Sequence, residues 1–293
     1  MTLFLQQLIE GLMSGAIYAS LALALVFSFR STNVVNFAQG EMSMLSTYFA
    51  WQLLVWGVPL VPAMLLSIVA SFVGGGLMYL VFIKPIARAP ALTVVTVLIG
   101  LFIALNSLGG FIWGYLNHAF PSPFQNWRLE FGALTLSGEF IGISVVLLLI
   151  LLTLYLVFEH TRLGLAMRAA AAAPEQSRLV GIPVEWMLLG GWGVAAALGA
   201  VAGVLIAPRL FVSPSMMLGV VIYAFAAATL GGFDSVLGAV IGGLVVGVSE
   251  NLVSTYVPWI GSDLKVVVAL VIIFATLLIR PSGLFGRRNV VRV

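Results

Sequence analysis

The stretch that decides the fold is residues 145–158, which read VVLLLILLTLYLVF. Residues 266–279, VVVALVIIFATLLI, form a second stretch of the same kind. Neither contains a charged residue, and neither alternates between polar and apolar positions as the strands of a membrane β-barrel do. Because lipid offers the backbone no hydrogen-bond partners, such stretches must be helices, which satisfy their own N–H and C=O groups.

The composition of the whole chain also indicates a helical membrane protein. Of the 293 residues, 62% are hydrophobic and 8% are charged, whereas about 25% charged residues is usual in soluble domains. The chain has no cysteine, which excludes disulfides, thiolate metal sites and thiol nucleophiles. Residues 1–10 lack the basic segment of a cleavable signal, so we expect them to lead into a retained first helix.

Charge-free intervals and turn residues divide the chain into nine predicted helices, and a span requires about 20 residues. They are 8–29, 38–55, 60–83, 91–113, 138–158, 186–208, 214–231, 235–257 and 264–280. If the first or the seventh is not a full span, the count falls to eight. The predicted fold class is an all-α, polytopic transmembrane bundle of eight or nine helices, in a single domain of residues 1–293.

The basic residues set the predicted orientation, because cytoplasmic loops carry an excess of Lys and Arg. We place the C-terminus in the cytoplasm, and an odd number of helices then puts the N-terminus outside. The cytoplasmic basic residues are then Arg30, Lys84, Arg88, Arg162, Arg168, Arg178, Arg280, Arg287, Arg288 and Arg292. Only Arg128, Arg209 and Lys265 face outside.

Three pairs of glycines, each one helical turn apart, predict close helix packing, because small residues let two backbones approach each other. The pairs are Gly199 and Gly203, Gly238 and Gly242, and Gly243 and Gly247. Packing within the bundle is the favoured interpretation, and a subunit interface is the alternative.

Sequence motifs give little support for an enzyme. The chain has no G-x-x-x-x-G-K-[ST] loop that would cradle phosphates. Its histidines, His118 and His160, are predicted on opposite sides of the membrane, too far apart to share a metal. We therefore expect no catalytic residues, no metal site and no cofactor bound by this chain.

Polar groups inside the predicted spans are better candidates for function, because burying them in lipid is costly. The candidates for lining a pathway are Asn36, Gln39, Glu41, Tyr48, Asn106 and Glu250. For the first three, a capping box at the start of the second helix is an alternative. For Tyr48 and Asn106, a hydrogen bond between helices is the favoured interpretation.

The connection between the fifth and sixth helices, residues 159–185, has an unusual composition. Its Ala-rich run, residues 169–173, favours a helix that Pro174 ends, and Gly181 and Pro183 end a second short turn. A small apolar helix of this kind is suited to docking into a groove of a soluble partner. The alternative is a helix that lies on lipid headgroups.

This connection resembles the coupling loop of the branched-chain amino acid type of ABC-transporter permease. The residues that carry the resemblance are Thr161, Arg162, Gly164, Ala166, Arg168, Ala169, Pro174, Gly181 and Ile182. Four further segments match the family in the right order, so the resemblance covers nearly the whole chain. They are residues 5–19, 35–42, 231–239 and 280–286, the last reading RPSGLFG.

The resemblance implies a permease subunit, in lipid, that pairs with a second, similar permease as a heterodimer. Two cytoplasmic ATPases would use the ATP and dock on the coupling loop, and a soluble binding protein would deliver substrate; no nucleic acid is involved. The implied contacts with the ATPases are Arg162, Gly164, Arg168, Ala169, Pro174 and Gly181. Helices one to four would form an inverted repeat with helices six to nine.

Such importers carry leucine, isoleucine, valine and other hydrophobic amino acids across the bacterial inner membrane, and close relatives carry urea, short amides or aromatic acids. A stand-alone secondary carrier is the alternative class of transporter. A proton-driven carrier is expected to show paired acids or an acid–histidine relay near the bilayer midplane. Glu41 and Glu250 are instead predicted near opposite faces, which favours energy from a separate subunit.

Overall fold

The computed structural model describes residues 2–87, 89–124, 128–131, 134–261 and 264–286. These contain eleven separate helices and one two-stranded hairpin. The helices are α1 Thr2–Thr32, α2 Gln39–Val55, α3 Leu60–Met78, α4 Ala91–Trp113, α5 Gly138–His160, α6 Arg162–Ala172, α7 Pro174–Leu179, α8 Val184–Leu210, α9 Met216–Gly231, α10 Val236–Tyr256 and α11 Lys265–Ile279. Helix α3 continues through a π-helical turn, Tyr79–Ile83, into the short helix Lys84–Ile86.

The all-α fold class is confirmed, and each of the nine predicted helices is present. Helix α1 is longer than predicted, and α6 and α7 are the two short helices of the connection 159–185. The loop predicted between α4 and α5 contains a hairpin of β1 Arg128–Phe131 and β2 Leu134–Ser137. The predicted loop has enough residues for two short antiparallel strands, whose backbone N–H and C=O groups bond to each other. Arg88, Arg287, Arg288 and Arg292, predicted to be cytoplasmic, lie outside the described residues.

A multi-pass membrane protein is confirmed by the length and apolarity of the helices. Within the described ranges, six are long and apolar enough to cross a bilayer: α1, α3 with its continuation, α4, α5, α8 and α10. Helices α9 and α11 are apolar but have 16 and 15 residues, and α2 has 17. A 15-residue helix is about 23 Å long, less than the ~30 Å hydrocarbon core, so nine full spans stay a prediction.

The chain divides into two compact units. Unit 1 consists of Met1–Val26, Phe124–Ser144 and Leu218–Val293, and unit 2 consists of Phe27–Pro123 and Val145–Met217. The single domain of residues 1–293 stays a prediction.

Helix α2 is the central helix of unit 2, and one of its faces packs against α8. Gln39, Ser43 and Thr47 follow one another at four-residue intervals, as Gly199 and Gly203 do on α8. A β-carbon at Gly199 would lie 2.5 Å from Gln39 Nε2 and 2.6 Å from Ser43 Oγ. The first predicted glycine pair therefore packs within the bundle, where it makes room for polar side chains of α2.

Two other faces of α2 pack against α3 and α4. Ser67 Oγ of α3 donates to the carbonyl of Ser46, at 2.5 Å. On α4, a β-carbon at Gly109 would lie 2.8 Å from Met44 Cε. With neighbours on three faces, α2 can hold polar side chains away from lipid, which explains how a helix with Gln39 and Glu41 lies inside a membrane protein.

In unit 1, helices α1 and α10 cross at glycines on both helices. A β-carbon at Gly15 would lie 2.8 Å from the carbonyl oxygen of Gly243, and one at Gly247 would lie 2.5 Å from that of Gly11. Gly242 contacts the Ala227 carbonyl of α9 in the same way. The other two predicted glycine pairs thus also pack within the bundle.

The C-terminal segment RPSGLFG caps helix α9. The backbone N–H groups of Leu284 and Phe285 donate to the last carbonyls of α9, those of Leu230 and Gly231, at 2.8 and 3.1 Å. Gly283 has a φ of +76°, and a β-carbon there would lie 2.5 Å from Gly232 Cα. The segment thereby satisfies carbonyl groups that a helix end otherwise leaves unpaired.

Candidate functional site

Asn36 and Gln39 lie together at the start of α2. Asn36 Nδ2 donates to Gln39 Oε1 at 3.1 Å, and Asn36 Oδ1 accepts from the backbone N–H of Ala38 at 3.0 Å. The helix begins at Gln39 with Ala38 as the N-cap residue and no capping bond from its side chain. The predicted capping box is therefore wrong, because Asn36 is not the N-cap residue, whereas Glu41 does lie in the first turn of α2 as that alternative expected. Gln39 Nε2 instead donates to the carbonyl of Ala195 on α8, at 3.0 Å.

Glu41 is 1% exposed and faces Asn106 of α4. Asn106 Nδ2 donates to Glu41 Oε2 at 3.0 Å and to the carbonyl of Pro214 at 2.8 Å. For Asn106, the predicted hydrogen bond between helices is confirmed. Glu41 Oε1 accepts no hydrogen bond from any described residue, and no described Lys, Arg or His side chain pairs with this carboxyl group.

Tyr48 lies two turns beyond Glu41 on α2 and is fully buried. Its ring stacks on Trp113 of α4, with 4.8 Å between the centroids and 12° between the planes. Its hydroxyl has no hydrogen-bond partner among the residues that the structure describes. A hydrogen bond between helices is thus wrong for Tyr48, where stacking supplies the contact instead.

Glu250 belongs to unit 1, and its carboxyl group is fully engaged. Tyr18 OH donates to Oε2 at 2.8 Å, and Lys265 Nζ lies 3.8 Å from Oε1. Tyr18 stacks on Tyr223 of α9 at 4.7 Å. These contacts join α1, α9, α10 and α11, so Glu250 holds helices of unit 1 together.

The coupling segment, residues 159–185, begins with an N-cap. Thr161 Oγ1 accepts from the backbone N–H of Gly164 at 3.1 Å, which fixes the first turn of α6. Gly164 has no room for a side chain, because a β-carbon would lie 2.6 Å from the carbonyl oxygen of Phe158 in α5. The glycine thus allows α6 to turn tightly off the end of α5.

Helix α7 has defined signals at both ends. Pro174 is its first residue, where the missing N–H is no loss. After it, the N–H groups of Gly181 and Ile182 donate to the carbonyls of Arg178 and Ser177, at 3.1 and 3.0 Å. With φ of +82° at Gly181, this is a Schellman motif, so two of the three predicted stop residues, Pro174 and Gly181, have a physical role at the ends of α7.

The coupling segment exposes large apolar side chains although its inner face is packed. Arg162 is exposed and begins α6, Arg168 and Ala169 are half-buried, and α6 packs on α8. The exposed fractions are 58% for Leu163, 61% for Leu165, 87% for Leu179 and 76% for Val180. A two-helix segment with exposed apolar side chains has the form of a surface that docks on a partner or lies on lipid headgroups.

Comparison with known proteins decides the family. The model of the family "Branched-chain amino acid transport system / permease component" matches residues 7–277. The chain belongs to this family. It is 30% identical over 304 residues to the high-affinity branched-chain amino acid transport system permease protein LivH of Salmonella typhimurium, covering 99% of this chain and 98% of that protein.

Two further relatives are similarly close to this permease-family chain. BraD of Pseudomonas aeruginosa, also named a high-affinity branched-chain amino acid transport system permease protein, is 32% identical, with 99% of this chain and 98% of that protein covered. The probable branched-chain amino acid transport permease protein LivH of Methanocaldococcus jannaschii is 33% identical over 91% of this chain and 87% of its own length. The resemblance found from the motifs is therefore confirmed.

Sequence reasoning missed the partners of the predicted residues in this LivH-like permease. Tyr18 and Lys265 are the partners of Glu250, and Trp113 is the partner of Tyr48. The only signal available was that each is a polar or amphipathic residue of an apolar helix, Tyr18 in the middle of α1 and Trp113 and Lys265 at helix ends. Across the described ranges, no group of three or more His, Asp or Glu side chains could hold a metal ion.

Proposed function

We propose that this chain is a permease subunit of an ABC importer of the bacterial inner membrane, with its C-terminus in the cytoplasm. With a second, similar permease it forms the pathway for branched-chain or other hydrophobic amino acids. Two ATPase subunits drive transport, and a soluble binding protein delivers the substrate. The observation that carries the proposal is the match of the permease family over residues 7–277.

The coupling segment supports the proposed contact with the ATPases. Leu163, Leu165, Leu179 and Val180 expose apolar surface on helices whose ends are fixed by Thr161 and Gly181. Because α6 packs on α8 and follows α5 directly, the segment can transmit a movement of the ATPases to both helices. Arg162, Gly164, Arg168, Ala169, Pro174 and Gly181 would hold this element in shape or contact the ATPases.

Unit 2 supports a pathway along α2. Glu41 and Tyr48 both lie on the face of α2 that packs on α4, and each has a polar atom without a partner among the described residues. Buried polar groups in a membrane protein usually mark pathways or partners. We assign Asn36 and Gln39 to shaping the start of α2, and Glu41, Asn106 and Tyr48 to the pathway itself.

Leu165→Asp tests the docking surface, because a charge in an apolar contact opposes association. We expect the variant to retain less than about a tenth of the ATPase that co-purifies with the unchanged chain. Leu116→Asp is the control, since Leu116 is 77% exposed in the loop after α4 and should not change ATPase recovery. Full ATPase recovery with Leu165→Asp, or substrate transport by this chain alone in liposomes, would contradict the proposal.

A further inference from the structure

Unit 2 contains a cavity of about 190 Å³ between α2, α3 and α8. Its lining residues come from all three helices and include Met42, Ser46 and Phe49 of α2, Ser71 and Gly74 of α3, and Ala196 of α8. None of the predicted pathway residues lines it, although Met42 follows Glu41 directly in the chain.

The lining determines what kind of group the cavity can hold. None of the lining residues carries a charge, so an ammonium or carboxylate group would find no counter-ion there. The hydroxyl groups of Ser46 and Ser71 lie 2.5 Å apart, and each is within hydrogen-bond distance of a carbonyl of its own helix, at Met42 and Ser67. Because both hydroxyl protons are engaged, the cavity suits an apolar ligand.

Adjacent glycines of α3 create the cavity. A β-carbon at Gly75 would lie 2.6 Å from the carbonyl oxygen of Trp192, so this glycine lets α3 pack closely on α8 and form the floor. A β-carbon at Gly74 would meet no heavy atom within 4 Å. The space beside Gly74 is therefore unfilled because this position has no side chain.

The size of the cavity suits a short, branched hydrocarbon group. Its volume of about 190 Å³ is little larger than the roughly 150 Å³ of an apolar cavity that binds benzene. Ala70 at the rim is exposed, and Leu45, Phe49 and Met78 are half-buried, so a ligand can enter beside them.

We infer that this cavity binds the aliphatic side chain of the transported amino acid, with Gly74 as the residue that sets its size. The inference rests on the proposed function, which supplies a substrate of that chemistry. The charged groups of the amino acid would remain outside the cavity, and the side chain alone would contact Met42, Phe49 and Met78. Residue 74 thereby sets the largest side chain that this site accepts.

Gly74→Leu tests the inference, because it fills the cavity with the type of group that the site is expected to bind. Gly100→Leu is a matched control: Gly100 is also a helical glycine of unit 2 with no heavy atom within 4 Å of a β-carbon, but it does not line the cavity. The probe is a photoreactive diazirine analogue of leucine, applied to the purified complex of this chain with its co-purifying subunits.

We expect the probe to label peptides with Phe49 or Met78, leucine to compete, and alanine to compete at least about tenfold more weakly. Labelling should fall about tenfold or more in Gly74→Leu and stay unchanged in Gly100→Leu. Equal labelling in the two variants overturns the inference. So does labelling that a fatty acid suppresses and leucine does not, which would indicate a lipid chain.

Two further outcomes separate this inference from the proposed function. If Gly74→Leu loses the second permease during purification, a helix of that subunit fills the cavity and the inference is wrong. If the unchanged complex imports no branched-chain amino acid although leucine competes for labelling, the proposed function fails while the binding site stands. If the complex imports leucine but the probe does not label the cavity, the inference fails while the proposed function stands.

Discussion

Glu41 in unit 2 and Glu250 in unit 1 are both buried in apolar helices, at 1% and 6% exposure, yet their neighbours differ. Glu250 accepts a hydrogen bond from Tyr18 and lies 3.8 Å from the ammonium group of Lys265. Glu41 accepts one hydrogen bond, from the neutral carboxamide of Asn106 at 3.0 Å. Both oxygens of Glu250 are engaged, whereas one oxygen of Glu41 has no partner among the described residues.

The difference separates an acid whose contacts stabilise the fold from an acid that still has a carboxylate oxygen available to accept a hydrogen bond. A buried carboxyl group with a cation and a hydroxyl donor has its interactions complete, and removing either partner destabilises the protein. A buried carboxyl group with one neutral donor keeps an acceptor for a group that arrives later, as a transported substrate does. We therefore expect the two acids to respond differently to the same substitution.

The largest effect is expected for Glu41→Gln. Glutamine keeps the size of the side chain and accepts from Asn106, but it carries no charge, so ATP-driven uptake of leucine should fall about hundredfold. That factor corresponds to about 2.8 kcal/mol, within the range for hydrogen bonds to charged groups. The melting temperature in detergent should stay unchanged. Uptake equal to that of the unchanged chain would remove Glu41 from the pathway.

Glu250→Ala should act on stability instead. It removes the hydrogen bond from the Tyr18 hydroxyl and the ion pair with Lys265, which lowers the free energy of unfolding by about 2 kcal/mol. Denaturant unfolding in detergent measures this change, and uptake per folded molecule should stay within about twofold. A hundredfold loss of uptake at unchanged stability would put both acids in the same class and end the distinction.

Lys265→Met should have the smallest effect, about 1 kcal/mol, because the lysine side chain is 33% exposed and water weakens its ion pair. Methionine keeps the apolar length of the side chain, and Tyr18 still donates to Glu250. A double-mutant cycle with Glu250→Gln isolates the energy of the pair. If the two changes add without coupling, Lys265 is not what distinguishes Glu250 from Glu41.

The sequence predicted the helices well because length and apolarity decide them in lipid. Residues 145–158 can only be helical, and Pro174 and Gly181 stop α6 and α7 through properties of single residues. The packing role of the glycine pairs could also be predicted, since a missing side chain leaves space for any neighbouring helix. The hairpin of β1 and β2 has no such signal, because its strands are short and its pairing depends on the turn.

The environment of the site residues could not be predicted in the same way. Glu250 and Tyr18 are 232 positions apart, and their contact depends on how α1 and α10 cross at their glycines. The sequence placed both acids in one set of candidates, because both are charged residues in apolar helices. Only packing distinguishes Glu41 beside Asn106 from Glu250 beside Lys265. The cavity at Gly74 could not be predicted from the sequence either, because its lining residues come from three helices.

The central claim, that this chain is the membrane half of an ATP-driven importer, is tested most directly by reconstitution. Liposomes should contain this chain with the second permease and the ATPases that co-purify with it, with binding protein and labelled leucine outside. We predict that leucine accumulates inside only when ATP is enclosed and every subunit is present. Leucine accumulation by this chain alone, without ATPase and driven by a proton gradient, would contradict the account.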